Sequence, residues 1–267
     1  LNLTVKNTVV GLFLLLSLYT RAQSGSFAGM GNASVMLYDF WSVFSNQAGL
    51  ANLENPTLGF DYSNHFWLSE TGTHSGAFVL PTRSGNFSLA FKRYGYVLYS
   101  ENNLGLAYAR KLGEVISASL QFDYLFFHQS ENYGNRGAFL FETGIIAQIN
   151  PDFSVGLHLY NPTRVKLADY ADERVPTVMR FGLAYSFSPW VLFSIETEKS
   201  VEQKARFKCG LQYEPIKFLY LRTGLMTQPN SFTAGMGYRI KNFTTDLAFV
   251  SHENLPLSSQ IALTYKF

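Results

Sequence analysis

His128-Gln129-Ser130 places an imidazole two residues before a hydroxyl, the residue types a base-activated serine nucleophile needs. At the outer end of a membrane strand such a pair would lie within reach of lipid acyl esters. Alternate side chains share a face only while the backbone stays extended, and a loop begins at Ser130. No acid stands out to orient His128, because Glu131 is adjacent and Glu142 belongs to an inward face. A lipid hydrolase using His128 and Ser130 is therefore the remotest reading, and the chain is expected not to be an enzyme.

Five histidines, His65, His74, His128, His158 and His252, map to the same end of the period-two segments described below. If the sheet closes, its last strands lie beside its first, and His65, His74 and His252 become neighbours. Imidazoles ligate zinc and titrate near neutral pH, so a metal or pH-sensitive site is one expectation. The plainer and preferred one is a set of interfacial rings with their polar tips in water. No P-loop, dinucleotide fingerprint, zinc motif or Gly-x-Ser-x-Gly elbow is present, so no cofactor is expected.

Charged side chains form the third candidate group. Glu196 and Glu198 have the same parity as Lys204, Arg206 and Lys208 on the next segment, which predicts cross-strand pairs. Asp123, Glu142, Arg180, Arg222, Arg239 and Asp246 share that parity. Mixed charges are costly against lipid and are expected to pair inside a narrow lumen, as a structural network more than a selectivity filter.

The elements that must position these groups are strands. From Thr57 onward apolar and polar residues alternate almost everywhere, as in Met179, Phe181, Leu183, Tyr185 and Phe187 against Arg180, Gly182, Ala184 and Ser186. The closing stretch Leu257 to Phe267 does the same. Such segments number about fourteen, each about ten residues long, the size of a tilted membrane strand. Short turns at Arg83-Ser-Gly85, Leu112-Gly113, Asn150-Pro-Asp152, Ser188-Pro189, Glu214-Pro-Ile216 and Lys241-Asn242 interleave with connections that are mostly longer. The latter are Ser69 to Thr73, Tyr94 to Asn103, Ser130 to Gly137, Pro162 to Thr177, Ser200 to Gln203 and His252 to Pro256. This asymmetry belongs to a membrane barrel, all-β and antiparallel, with both termini periplasmic. Gly at many inward positions leaves room for something inside.

Composition agrees. Aromatics at 16% and charged residues at 15%, against about 25% in soluble domains, suit an apolar band with aromatic girdles. Mean hydropathy of +0.01 is too low for a helical membrane protein. A net charge of +2 without basic clusters argues against nucleic acid, and the single Cys209 excludes an internal disulfide. Lys6, the apolar run Val9 to Leu18 and Ala22 read as a signal peptide over 1–22.

Residues 23–56 break the alternation. Gly25-Ser-Phe-Ala-Gly29-Met-Gly31-Asn32-Ala33, then Asp39, then Asn46-Gln-Ala48-Gly49-Leu50 resembles the N-terminal signature of FadL-like outer-membrane proteins, especially the PorV/PorQ-type proteins of Bacteroidota associated with type IX secretion. Asn46-Gln-Ala-Gly-Leu50 stands where that family has Asn-Pro-Ala-Gly-Leu. The resemblance implies a fourteen-stranded barrel over 57–267 with residues 23–56 as a plug in its lumen. It also implies an accessory or scaffold subunit of an envelope machine for protein secretion or surface-protein assembly, docked in a larger outer-membrane complex. FadL-type passage of hydrophobic small molecules is the alternative. It is disfavoured because the loops are too short to build a deep apolar pocket. Resemblance to barrel clients of the bacterial outer membrane implies that Tyr265 and Phe267 form the signal read by the barrel-assembly machinery, with the lipid bilayer as the surrounding partner.

Overall fold

The structure, a computed structural model, describes residues 25–129, 136–167, 174–253 and 255–267. The expected signal peptide and Ser130 lie outside the described residues. The alternating segments form β1 (Thr57–Asn64), β2 (Gly72–Thr82), β3 (Gly85–Gly95), β4 (Tyr99–Leu112) and β5 (Ile116–Gln129). They continue as β6 (Arg136–Asn150), β7 (Phe153–Tyr160), β8 (Val178–Ser188), β9 (Val191–Ser200) and β10 (Arg206–Ile216). The last four are β11 (Leu219–Met226), β12 (Ser231–Ile240), β13 (Phe243–His252) and β14 (Ser258–Lys266). Each pairs antiparallel with its neighbours, and β14 closes on β1 with Phe60 opposite Leu263. Closure leaves no strand edge, so backbone amides are satisfied within the ring, as a bilayer demands.

Side-chain parity sorts the two faces. Phe181, Phe207, Phe232 and Ile261 are exposed on the outside, while Arg180, Lys208, Thr233 and Gln260 are buried inside. Tight turns at 83–84, 151–152, 189–190 and 241–242 mark one end, and the 161–177 connection marks the other. Two expected connections move. The Tyr94 to Asn103 loop shrinks to 96–98, because Ser100–Asn103 pair with Lys92–Gly95 at the mouth, where polar residues meet water. The turn expected at Glu214 to Ile216 lies at 217–218 instead. β10 runs on through Pro215 by an irregularity between Tyr213 and Ile216, which accommodates a residue lacking an N–H.

Residues 25–53 lie within the ring as three short 3-10 helices, Gly25–Met30, Phe40–Phe44 and Gln47–Asn52. The first packs against β10–β14 and the third against β3–β6, so the segment crosses the interior from wall to wall. Trp41 is fully buried, edge-on to Phe40 at 5.0 Å and stacked on Phe44 at 6.3 Å. Phe27, Met30, Val35, Met36 and Leu50 complete this core. A second cluster, Leu125, Leu140, Tyr160, Val175 and Val178, lies at the end opposite the tight turns, with Val165 and Leu167 packed against it.

Candidate functional site

The wall holds the inner segment through polar side chains that alternation alone places inside. Asn46 caps the third short helix by accepting from Ala48 N at 3.2 Å. Its amide also donates to Val35 O at 2.6 Å and to the Ile145 and Leu157 carbonyls at 3.3 Å. Gly144 faces it so closely that a Cβ there would lie 1.9 Å from Asn46 Oδ1. Gly31, with φ of 60°, brings the segment's backbone onto β10 and β11, where a Cβ would sit 2.8 Å from Cys209 O. Asn86 donates to Leu50 O and Leu53 O at 2.6 and 2.8 Å, and Asp61 accepts from Gly25 N and from Gln260.

The remaining motif residues do structural work in the same segment. Ala33 and Ala48 are fully buried, and a Cβ at Gly49 would meet Leu37 O at 2.3 Å. Thr233 Oγ1 donates to Gly29 O and accepts from Gly31 N, whereas the Asn32 amide reaches Met226 Sδ at 3.9 Å. Asp39 caps the second helix by accepting from Trp41 N at 2.9 Å. Burial holds its carboxyl above the usual carboxylate range, against the pull of that amide.

Several of the charges with inward parity pair inside the barrel, whereas Asp123, Lys204 and Arg239 enter none of these ion pairs. Lys208 Nζ lies 2.8 Å from both Glu196 Oε1 and Glu198 Oε2. Arg180 and Arg206 pair with Glu198 at 3.2 and 3.3 Å, and Arg222 pairs with Asp246 at 2.5 Å. Glu196 Oε2 accepts from Ser34 N and Val35 N at 2.8 and 2.9 Å, which ties the network to the inner segment. Lys204 falls in the 201–205 connection, exposed and outside the network, because β10 begins two residues later. Arg239 is exposed near the far end of β12 and lies over the Tyr220 ring at 5.5 Å instead of entering a pair.

Of the histidines expected as neighbours, His65 and His252 flank the Phe66 ring, with centroids at 6.1 and 5.3 Å. His158 is fully buried beside Glu142, Nε2 2.8 Å from Oε2, so it is no interfacial ring. His74 packs outside on Tyr62 at 4.8 Å. His252 sits between Ser231 Oγ and Ser258 Oγ, 3.2 Å from each, and edge-on to Phe66. Burial, helped by Lys92 and His252, pushes His65 down to about 4. Among the described residues no group of three or more His, Cys, Asp or Glu side chains could hold a metal ion. Ser130 of the hydrolase pair lies outside the described residues.

Sequence reasoning missed a groove of about 860 Å³ on β8–β13. Phe181, Ile195, Phe207, Leu225 and Phe232 line it from the membrane face, and Ser231 and His252 bound it at the mouth of the lumen. It corrects the expectation that short loops preclude an apolar pocket, because the barrel wall builds this one. Neighbouring outward residues of unequal size, such as Phe207 beside Cys209, were its only trace in the sequence. A smaller cavity of about 240 Å³ lies at the opposite end, between Tyr38, Asp39 and Gln212. At the seam, Tyr265 packs between Phe243 and Phe267, with ring centroids at 4.6 and 4.8 Å.

A closed antiparallel barrel with an apolar outer band and a polar, occupied interior is the build of an integral outer-membrane protein. Among solved structures it is similar to FadL-type transporter barrels. The toluene transporter TbuX of Ralstonia pickettii superposes with a TM-score of 0.69 over 92% of this chain and 99% of that chain, at 11% identity. The toluene transporter TodX of P. putida gives 0.71 over 92% and 99%, also at 11% identity. A Pseudomonas aeruginosa FadL homologue gives 0.65 over 92% and 98%, at 11% identity. The chain thus has a FadL-like fold, and these neighbours are transporters rather than enzymes. No family model and no curated protein matches the sequence.

Proposed function

We propose that this barrel passes small hydrophobic molecules across the outer membrane. The apolar groove on β8–β13 carries this reading, because it joins the hydrocarbon-facing wall to the lumen mouth at Ser231 and His252. A lipophile can travel along it without entering bulk water, and a volume of about 860 Å³ falls within the range of small-molecule sites. The names of TbuX and TodX, both toluene transporters, support the same substrate class. Residues 25–53 act as the plug that stops water and ions from following. The test is uptake of toluene by cells that differ only in this barrel. Faster accumulation in its presence supports passage, and equal rates with the protein folded in the membrane reject it.

A second reading keeps the accessory subunit of a secretion or surface-assembly complex, the function that the PorV/PorQ resemblance implies. The observation favouring it is the occupied lumen, whose buried pairs among Arg180, Glu196, Glu198 and Lys208 suit a rigid scaffold. Copurification of a stable large complex from native membranes would support this reading, whereas an isolated barrel carrying bound lipophile would sink it. In both readings Tyr265 and Phe267 form the signal taken up by the barrel-assembly machinery.

A further inference from the structure

The groove on β8–β13 is not uniformly apolar. Phe181, Ile195, Phe207, Leu225 and Phe232 supply rings and branched chains along its length. Its polar side chains gather at the outer end, where Asn230 in the 227–230 turn, Ser251 on β13 and Glu253 beyond it line the opening. Ser251 is exposed opposite Phe232 and makes no side-chain hydrogen bond among the described residues. Glu253 is exposed too, and its Oε2 accepts from Asn230 Nδ2 at 3.3 Å. A carboxylate has about four lone-pair sites, so this one bond leaves it able to accept more. The other hydroxyls at this end are engaged. Thr227 Oγ1 accepts from Phe207 N at 2.9 Å, and Ser231 Oγ lies 3.2 Å from His252 Nδ1.

Charge decides which polar molecule this end admits. Lys208 and Glu196 also line the groove, but they neutralise each other at 2.8 Å. Arg206, beside the same turn, is held by Glu198 at 3.3 Å and by Gln228 O at 2.9 Å. Glu253 enters no ion pair among the described residues, so the opening is negatively charged. A carboxylate ligand is repelled there. An ammonium is drawn to Glu253 but cannot follow an apolar path, where an unpaired charge is costly. A neutral hydroxyl on an aromatic ring meets both conditions, because Phe232 and Phe207 offer ring faces and edges beside the polar end.

We propose that the groove selects neutral hydroxylated aromatics, phenols and benzylic alcohols, over both the parent hydrocarbons and aromatic carboxylates. The hydroxyl donates to Glu253 and accepts from Ser251 while its ring packs on Phe232. This inference rests on the reading that lipophiles travel along the groove, and it narrows their class.

The test compares cells with and without the barrel for uptake of labelled toluene, p-cresol and p-toluate at low concentration and neutral pH. The three share one methylated ring, and there the phenol is neutral and the acid ionised. The barrel-dependent rate should be about threefold to tenfold higher for p-cresol than for toluene, the worth of one net hydrogen bond. It should be lowest for p-toluate. Glu253→Leu should bring p-cresol down to the toluene rate while changing toluene little, and Glu253→Gln should raise p-toluate. The side chain is exposed, so both variants should fold. Equal wild-type rates for toluene and p-cresol overturn this inference and leave the transport reading standing. Absence of barrel-dependent uptake of all three overturns both. A p-cresol preference that survives Glu253→Leu also overturns the inference, since the selection then lies elsewhere.

Discussion

Glu196 and Lys208 meet inside the barrel with Nζ 2.8 Å from Oε1, and the second oxygen of that carboxylate accepts from Ser34 N and Val35 N. One side chain thus closes a buried ion pair and grips the inner segment. Removing Glu196 leaves Lys208 its second partner, Glu198, but orphans the buried Ser34 and Val35 amides, at a cost of about 1–3 kcal/mol each. Glu196→Ala should therefore lower the melting temperature in detergent and expose residues 25–53 to protease. Glu196→Gln, which keeps an oxygen acceptor for those amides, should lose much less, and equal losses in the two variants would contradict this account.

Asn46 and Gly144 should behave as a coupled pair. Asn46→Ala removes a helix cap and the amide bond to Val35 O, an expected loss of about 2–3 kcal/mol. Gly144→Ala drives a methyl group into Asn46 Oδ1 and should be costly in the wild-type background. In the Asn46→Ala background it should cost much less. Denaturant titration of all four proteins checks this, and strict additivity would mean that the two positions do not meet.

His65 should make stability depend on pH. Its folded value of about 4 lies below the unfolded value near 6.5, so folding disfavours the charged ring. The associated stability is complete above pH 6.5 and disappears as pH falls from about 6.5 to 4, up to about 3 kcal/mol in all. Melting curves across that window should fall more steeply for wild type than for His65→Gln. Parallel curves would assign the acid sensitivity elsewhere.

Filling the groove should separate transport from folding. Cys209→Trp places a large ring among Ile195, Phe207 and Leu225 on the membrane face. Toluene uptake should drop several-fold while melting temperature changes little. Ala234→Trp, outward on β12 but not among the groove residues, should leave uptake unchanged. Equal behaviour of the two variants would remove the groove from the pathway.

Strand parity was legible because it is local: from Thr57 on, each residue's face follows from the pleat alone. Glu196, Glu198, Arg206 and Lys208 therefore proved to be partners, as their shared parity predicts. Parity says nothing about height along the barrel axis. Lys204 and Arg239 have the expected parity and still miss the network, one before its strand begins and one near its strand's far end. Ser100–Asn103 misled for a related reason, since at a barrel mouth a paired strand is as polar as a loop.

The sequence by itself determined the strands, their two faces, the asymmetry of their connections and the break in pattern before Thr57. All of these rest on interactions between near neighbours in the chain. Tertiary structure alone decided that Gln47 and Glu142 meet, that His158 leaves the membrane interface for the lumen, and that the wall carries an apolar groove. The first of these contacts spans 95 residues of chain, and the groove gathers residues from six strands, β8 to β13. They depend on the curvature and registry of the closed ring, which no local pattern encodes.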